Sequence, residues 1–137
     1  KHNMKTFKLI FITLLSMFVF SGNVKADNIE FYKAYQYSQK ATYDSYWDAW
    51  TQVNILISFN YTTDKITIYS KRIQVYSIYN YDIYYDNDGE KVLRFYFIDQ
   101  DYDKGTLRLM VRPNGTSQIY VDFSNITWVY NVVKNNR

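Results

Sequence analysis

The sequence predicts an all-β domain: an antiparallel meander of about eight short strands that closes into a small barrel or sandwich, preceded by an N-terminal signal-peptide helix. Three observations carry this reading. Apolar and polar residues alternate with period two along most of residues 29–133, the mark of strands with one buried face. Clusters of Asn, Asp, Gly and Thr break the alternation at intervals of roughly 8–12 residues, the rhythm of an all-β sandwich or barrel. The connections are too short for the crossover helices that parallel strands need.

The first element is the leader. Lys1, Lys5 and Lys8 precede an uncharged, mostly apolar run from Leu9 to Phe20, and Val24-Lys25-Ala26 follows. That order is a basic region, a hydrophobic core and a small-residue cleavage site, so residues 1–26 read as an export signal removed after Ala26. The apolar run is twelve residues. As a helix it spans only about 18 Å, against the roughly 30 Å of a bilayer core, so it is too short for an anchor. Residues 27–137 then form a single domain, secreted or periplasmic.

Within that domain the strands follow in order. Ile29, Phe31, Lys33, Tyr35 and Tyr37 alternate with polar or small residues. Val53, Ile55, Ile57 and Phe59 form the second run. Ile66 and Ile68 form a third, and Ile73, Val75 and Ser77, alternating with Gln74, Tyr76 and Ile78, a fourth. Leu93, Phe95 and Phe97, then Leu107, Leu109 and Val111, then Ile119, Val121 and Phe123 are the next three, and the Trp-, Val- and Tyr-rich run Ile126–Val133 ends the domain. These residue types fit a pleated, half-buried surface. Between them, 60–65, 86–90 and 99–105 read as loops. Asn114-Gly115 is the strongest hairpin signal, because a tight turn there needs residues tolerant of positive φ. Residues 38–52 are ambiguous between a loop and a short helical turn, since Trp47 and Trp50 are three apart. The tyrosines are expected mostly on the solvent face and the rims.

Composition excludes several functions. Aromatic residues make up 20% of the chain, too much apolar material for a disordered segment. There is no Cys, and the single His is His2, inside the leader. Residues 27–137 therefore hold no Ser-His-Asp triad, no Cys-His pair and no zinc site built on His or Cys, and no cofactor is expected. Four of the 16 Lys and Arg residues lie in the leader, leaving 12 against 13 Asp and Glu. They are scattered singly, not clustered as a nucleic-acid footprint requires, so no nucleic acid is expected as a partner.

Three stretches carry a resemblance: KITIYSK (65–71), DGEKVLRFYFID (88–99) and NGTSQIYVDFSNITWVYNV (114–132). With the short leader, they resemble small signal-peptide-bearing all-β proteins of gut Bacteroidales and of the crAss-like phages that infect them. The resemblance covers about half of the domain and consists of strand and turn patterns. It implies export across an inner membrane and carries no assigned activity or catalytic residue.

Candidate site residues fall in three groups. Tyr79, Tyr81, Tyr84 and Tyr85 lie within seven residues. Tyrosine offers large, rigid contact area, so this segment is the expected ligand contact. The alternative puts alternate members of the set into the core. Trp47 and Trp50 either line a ligand or plug one barrel end. Asp99, Asp101 and Asp103 alternate on one loop, as a hard cation such as Ca²⁺ would want. Lys104 and the wrong spacing for a known calcium loop favour a plain hairpin there. Asp86, Asp88 and Glu90 offer a weaker carboxylate pairing for glycoside hydrolysis. Asp122, unusual inside a strand, is expected to pair with Arg108 or Arg112. The expected function is a small exported, non-enzymatic binding or interaction module with a protein or glycan partner. The alternatives are a structural or assembly component of an envelope or phage-associated structure, and a carboxylate-dependent glycan hydrolase.

Overall fold

Eight strands succeed one another: β1 (Ile29–Ala41), β2 (Thr51–Asn60), β3 (Lys65–Ile68), β4 (Gln74–Tyr85), β5 (Lys91–Asp99), β6 (Lys104–Val111), β7 (Thr116–Asp122) and β8 (Ile126–Lys134). The structure is a computed structural model and describes residues 28–114 and 116–135. The expected leader, residues 1–26, lies outside the described residues, as does Gly115. Each strand pairs antiparallel with the next, and β1 also pairs with β8, from Tyr32↔Lys134 to Ala41↔Ile126. The sheet is therefore a closed up-and-down barrel, with no helix among the described residues. Residues 42–50 are a loop.

The inward face is apolar. Ile57 and Phe59 on β2, Ile66 and Ile68 on β3, Phe95 and Phe97 on β5, Leu107 and Leu109 on β6, and Ile119 and Val121 on β7 are all buried. These are the faces that the alternation predicts. In β1 the parity is reversed: Tyr32 and Ala34 face inward, while Ile29 and Tyr35 are exposed. The reversal is confined to the residues before a bulge between Ala34 and Gln36, where Tyr35 is the extra residue in both ladders that β1 makes; beyond it Tyr37 packs on the core, as the alternation has it. In β4 it is Tyr76 and Ile78 that face inward, while Ser77 and, just before the strand, Ile73 of the other set are exposed, and a second bulge, between Ile78 and Asn80, then turns Tyr81 inward. Five of the 16 tyrosines, Tyr32, Tyr61, Tyr76, Tyr81 and Tyr130, are in the core, and the other eleven are exposed or half-buried.

The outward face is charged and internally paired. Asp82 takes a two-pronged contact from Arg94 at 2.9 and 2.7 Å. Arg108 does the same to Asp122 at 2.7 and 2.9 Å, the pairing expected for that strand acid. Arg94 stacks over Tyr84 and Tyr96, and Arg108 over Tyr120.

Two hairpin loops share one design. In 86–90 the Asp86 amide donates to Glu90 O and the Gly89 amide to Asp86 O, while Asp86 Oδ1 accepts the Asp88 and Glu90 amides. In 99–103 the same bonds run between Asp99, Tyr102 and Asp103, with Asp99 Oδ1 accepting the Asp101 and Asp103 amides. Both need a left-handed residue at the fourth position: Gly89 has φ 79° and Tyr102 has φ 65°. The β6–β7 hairpin is closed by the Arg112 amide donating to Thr116 O at 3.2 Å, so Asn114-Gly115 falls within the expected hairpin.

Glycine is free in the left-handed region, whereas a residue with a Cβ is strained there by about 1–2 kcal/mol. Tyr102 is 87% exposed, so little packing offsets that strain. Tyr102→Gly is expected to raise stability by up to about 1 kcal/mol, after the extra chain entropy that glycine loses. Urea unfolding at equilibrium measures it; a destabilised variant would show that the ring is held by contacts in the fold.

Candidate functional site

The two ends of the barrel differ. At the end that holds the 61–64, 86–90 and 112–116 loops, the interior is filled by aromatic rings. Tyr32 packs edge-on to Phe59 at 5.4 Å, Phe59 stacks with Tyr61, and Phe59 meets Phe95 at 5.7 Å. Glu30, 6% exposed, accepts from Lys134 Nζ at 2.6 Å and from the Tyr61 hydroxyl at 3.2 Å. That pair ties the start of β1 to the end of β8.

The other end, with the 42–50, 69–73, 100–103 and 123–125 loops, holds a polar hollow of about 420 Å³ between Asp103, Lys104 and Asn125 and two further hollows that adjoin each other. One, of about 380 Å³, is lined by Gln74, Tyr76, Asp99, Asp101, Phe123 and Trp128, among others. The second, of about 420 Å³, is lined by Tyr37, Gln39, Val53, Ile55, Trp128 and Tyr130, with Lys71 at its lip. Ser70, Gln74 and Trp128 border both. Such volumes suit a small molecule, and barrel mouths are a common place for one. The second hollow owes its shape to β3. That strand has four residues and pairs only with Ile57–Asn60 of the ten-residue β2, so the wall is notched beside Val53 and Ile55. The polar run Ser70-Lys71-Arg72 ends β3 at that point.

A cuff of aromatic rings surrounds the mouth. Tyr76 stacks on Phe97 at 4.2 Å, Phe97 meets Phe123 at 5.4 Å, Phe123 meets Trp128 at 5.4 Å, and Tyr37 meets Tyr130 at 5.5 Å. Gly105 makes room for this: a Cβ there would lie 2.6 Å from Phe97 Cζ and 2.7 Å from Asp122 O. Neutral polar groups sit among the rings. The Tyr76 hydroxyl donates to Gln74 Oε1, the Tyr37 hydroxyl to Gln39 Oε1, and Gln74 Nε2 to Ser70 Oγ at 3.0 Å. Trp128 Nε1 is buried beside the Tyr130 hydroxyl, yet no acceptor meets it at hydrogen-bonding geometry.

The rim is stapled. The Gln100 side chain acts as a strand residue would, accepting from the Val75 amide at 2.7 Å and donating to Ile73 O at 2.8 Å. Arg72 pairs with Asp101 at 2.8 Å. These contacts fix the 99–103 loop against the start of β4.

The residues singled out in the sequence do not form one site. Tyr81 is 3% exposed and belongs to the core, as the alternative reading of that segment has it. Tyr79, on the bulge, is exposed beside Tyr96 and beneath Lys104. Tyr85 is exposed at the packed end. Tyr84 and Trp47 do meet one outer-face groove of about 530 Å³, with Arg108, Arg112, Tyr120 and Met110. Its polar groups are satisfied by one another: Arg112 bonds to Glu90 and Gln118, and Gln118 to Asn131. Trp47 rests on Tyr120 on the outside of the wall, so it plugs neither end; Trp50 is exposed. Trp128 is the tryptophan at the mouth. Asp99, Asp101 and Asp103 do not converge on a cation position: one serves the turn and one pairs with Arg72. Among the described residues it is Asp86, Asp88 and Glu90 whose carboxylate oxygens lie within 4.8 Å of one another, with Asp86 and Glu90 already engaged by backbone amides and Arg112.

No family model, no curated protein and no solved structure matches the chain.

Burial raises the Tyr76 hydroxyl's pKa above the usual tyrosine value, with the neighbouring Tyr130 and Asp99 adding to it. Tyr130 is raised by burial and by Tyr37, and Tyr37 by burial and by Asp48. Tyr32 and Tyr61 at the packed end are raised by burial and by Glu30. All five therefore stay neutral donors in neutral solution. An unfolded tyrosine ionises near pH 10, while these folded ones resist it, so the folded state holds more protons. The stability they contribute is complete below about pH 10 and is lost as pH rises beyond it. Urea midpoints are expected to be flat from about pH 7 to 9 and to fall steeply from about pH 10 to 11, in step with ultraviolet tyrosinate absorbance. A flat midpoint across that range would contradict the burial of these hydroxyls.

Proposed function

We propose that this chain is an exported, non-enzymatic binding module that holds a small organic ligand in the open mouth of its barrel. One observation carries the reading: Trp128 presents a buried indole N–H whose contact with the Tyr130 hydroxyl falls short of good hydrogen-bond geometry, in a cuff of aromatic rings and amides, at the open end of a barrel whose other end is packed shut. A buried donor so poorly paired forfeits much of a hydrogen bond's net worth, about 0.5–1.5 kcal/mol, which a well-placed ligand acceptor would recover. The ligand suited to this place has a ring or chain that fills the hollow beside Val53, Ile55 and Tyr130, and an acceptor for Trp128. The outer groove is the weaker candidate, because its arginines and amides already satisfy one another. Export rests on the leader, and the non-enzymatic character rests on a domain without His or Cys.

Ligand-detected NMR with a fragment library on the full chain tests the proposal. Binders are expected to compete for one site, and Trp128→Phe, which keeps a ring and removes the donor, is expected to weaken them about tenfold, the equivalent of about 1.4 kcal/mol. Trp47→Phe should leave them unchanged. Binders that respond to Trp47→Phe and ignore Trp128→Phe would place the site on the outer groove instead.

A further inference from the structure

We infer that the mouth selects a protonated amine carried on an apolar or aromatic body. The inference rests on the mouth being the ligand site and names the chemistry it prefers. The first hollow is lined by four formal charges: Arg72, Asp99, Asp101 and Asp103. Arg72 is committed to Asp101 at the exposed rim. Asp103 forms no ion pair with any described residue. Lys104 is not among the residues lining this hollow: it lies over the Tyr79 ring and borders a neighbouring hollow with Asp103 and Phe123, so Asp99 is the carboxylate farther along the chain from it, and Lys71 lines only the second hollow. A negative excess of two carboxylates remains.

Asp99 is the better placed of the two. It is half-buried, opposite Tyr76 in the ladder, and its Oδ1 is held by the Asp101 and Asp103 amides at 2.9 Å each. The carboxylate is thus oriented by the turn. Its Oδ2 receives no hydrogen bond from a described residue. The half-buried rings of Phe123 and Trp128 line the same hollow. Aromatic rings beside a carboxylate recognise an ammonium: the ring faces attract the cation and the carboxylate accepts its protons. The adjoining hollow, with Val53, Ile55, Tyr37 and Tyr130, would take the body of the same molecule. Gln74 and Trp128, which border both hollows, stand where body and amine join.

A matched series separates charge from shape: tyramine is the cation, tyrosol its neutral analogue and 4-hydroxyphenylacetate the anion. Binding to the full chain is followed by the indole N–H resonance of Trp128 and by calorimetry. Tyramine is expected to bind at least tenfold more tightly than tyrosol, and the anion most weakly, with the preference shrinking as salt screens it. Asp99→Asn keeps an acceptor for the two turn amides while removing the charge. It should bring tyramine to the level of tyrosol and leave tyrosol unchanged; Asp103→Asn should have a smaller effect. Tyramine and tyrosol binding equally would overturn the amine preference and leave the mouth as the ligand site. Tyramine bound with no change in the Trp128 resonance would overturn both.

Discussion

Closure of the sheet through β1 is the constraint on which the rest depends. β1 is the longest strand, with 13 residues, and it must serve β2 with one edge and β8 with the other. The bulge at Tyr35 interrupts both ladders at the same place and bends the strand, as closing an eight-stranded sheet requires. Side chains reinforce the seam. Asn131 of β8 accepts from Gln118 on β7 and donates to Gln36 on β1, each at 2.9 Å. Lys134 reaches Glu30 at the packed end. With the seam closed, β1 and β8 present no open edge where they meet, and the apolar face becomes an interior.

The interior is then divided by what the chain puts at each end. Large rings on β1, β2 and the 61–64 loop fill one end. At the other, β3 stops after four residues, and polar side chains take up inward positions: Gln39 from β1 and Gln74 from β4, beside Tyr76, Trp128 and Tyr130. A fully apolar plug there would have made a solid core. Instead, amides and hydroxyls partner one another, and the Trp128 indole N–H meets the Tyr130 hydroxyl only at poor geometry. Function, on this account, comes from incomplete filling of a small barrel at one end.

Much of the fold was legible in the sequence because most strands alternate cleanly. Val53 to Phe59, Leu93 to Phe97 and Ile119 to Phe123 show their buried faces directly. Strand β1 was not legible in the same way. Ile29, Phe31 and Tyr35 made its outer face look apolar, while Glu30 and Ala34 disguised the inner one, and the bulge at Tyr35 carries no glycine or proline to announce it. The bulge at Tyr79 hid the fate of the tyrosine cluster by turning Tyr81 inward. The mouth was harder still, since Tyr37, Gln74 and Trp128 come from three strands far apart in sequence. A signal for it did exist: Gln74 shares the parity of the inward-facing Tyr76 and Ile78, and a polar residue at a core-facing position needs a reason.

Amide hydrogen exchange at the β1–β8 seam tests the account most directly. Closure predicts that the ladder amides of 36–40 and 127–132 exchange as slowly as those of the β5–β6 ladder, in a single cooperative unit. Amides of β1 and β8 that exchange as fast as those of the 42–50 loop would mean an open sheet with two free edges, and with it no interior and no mouth.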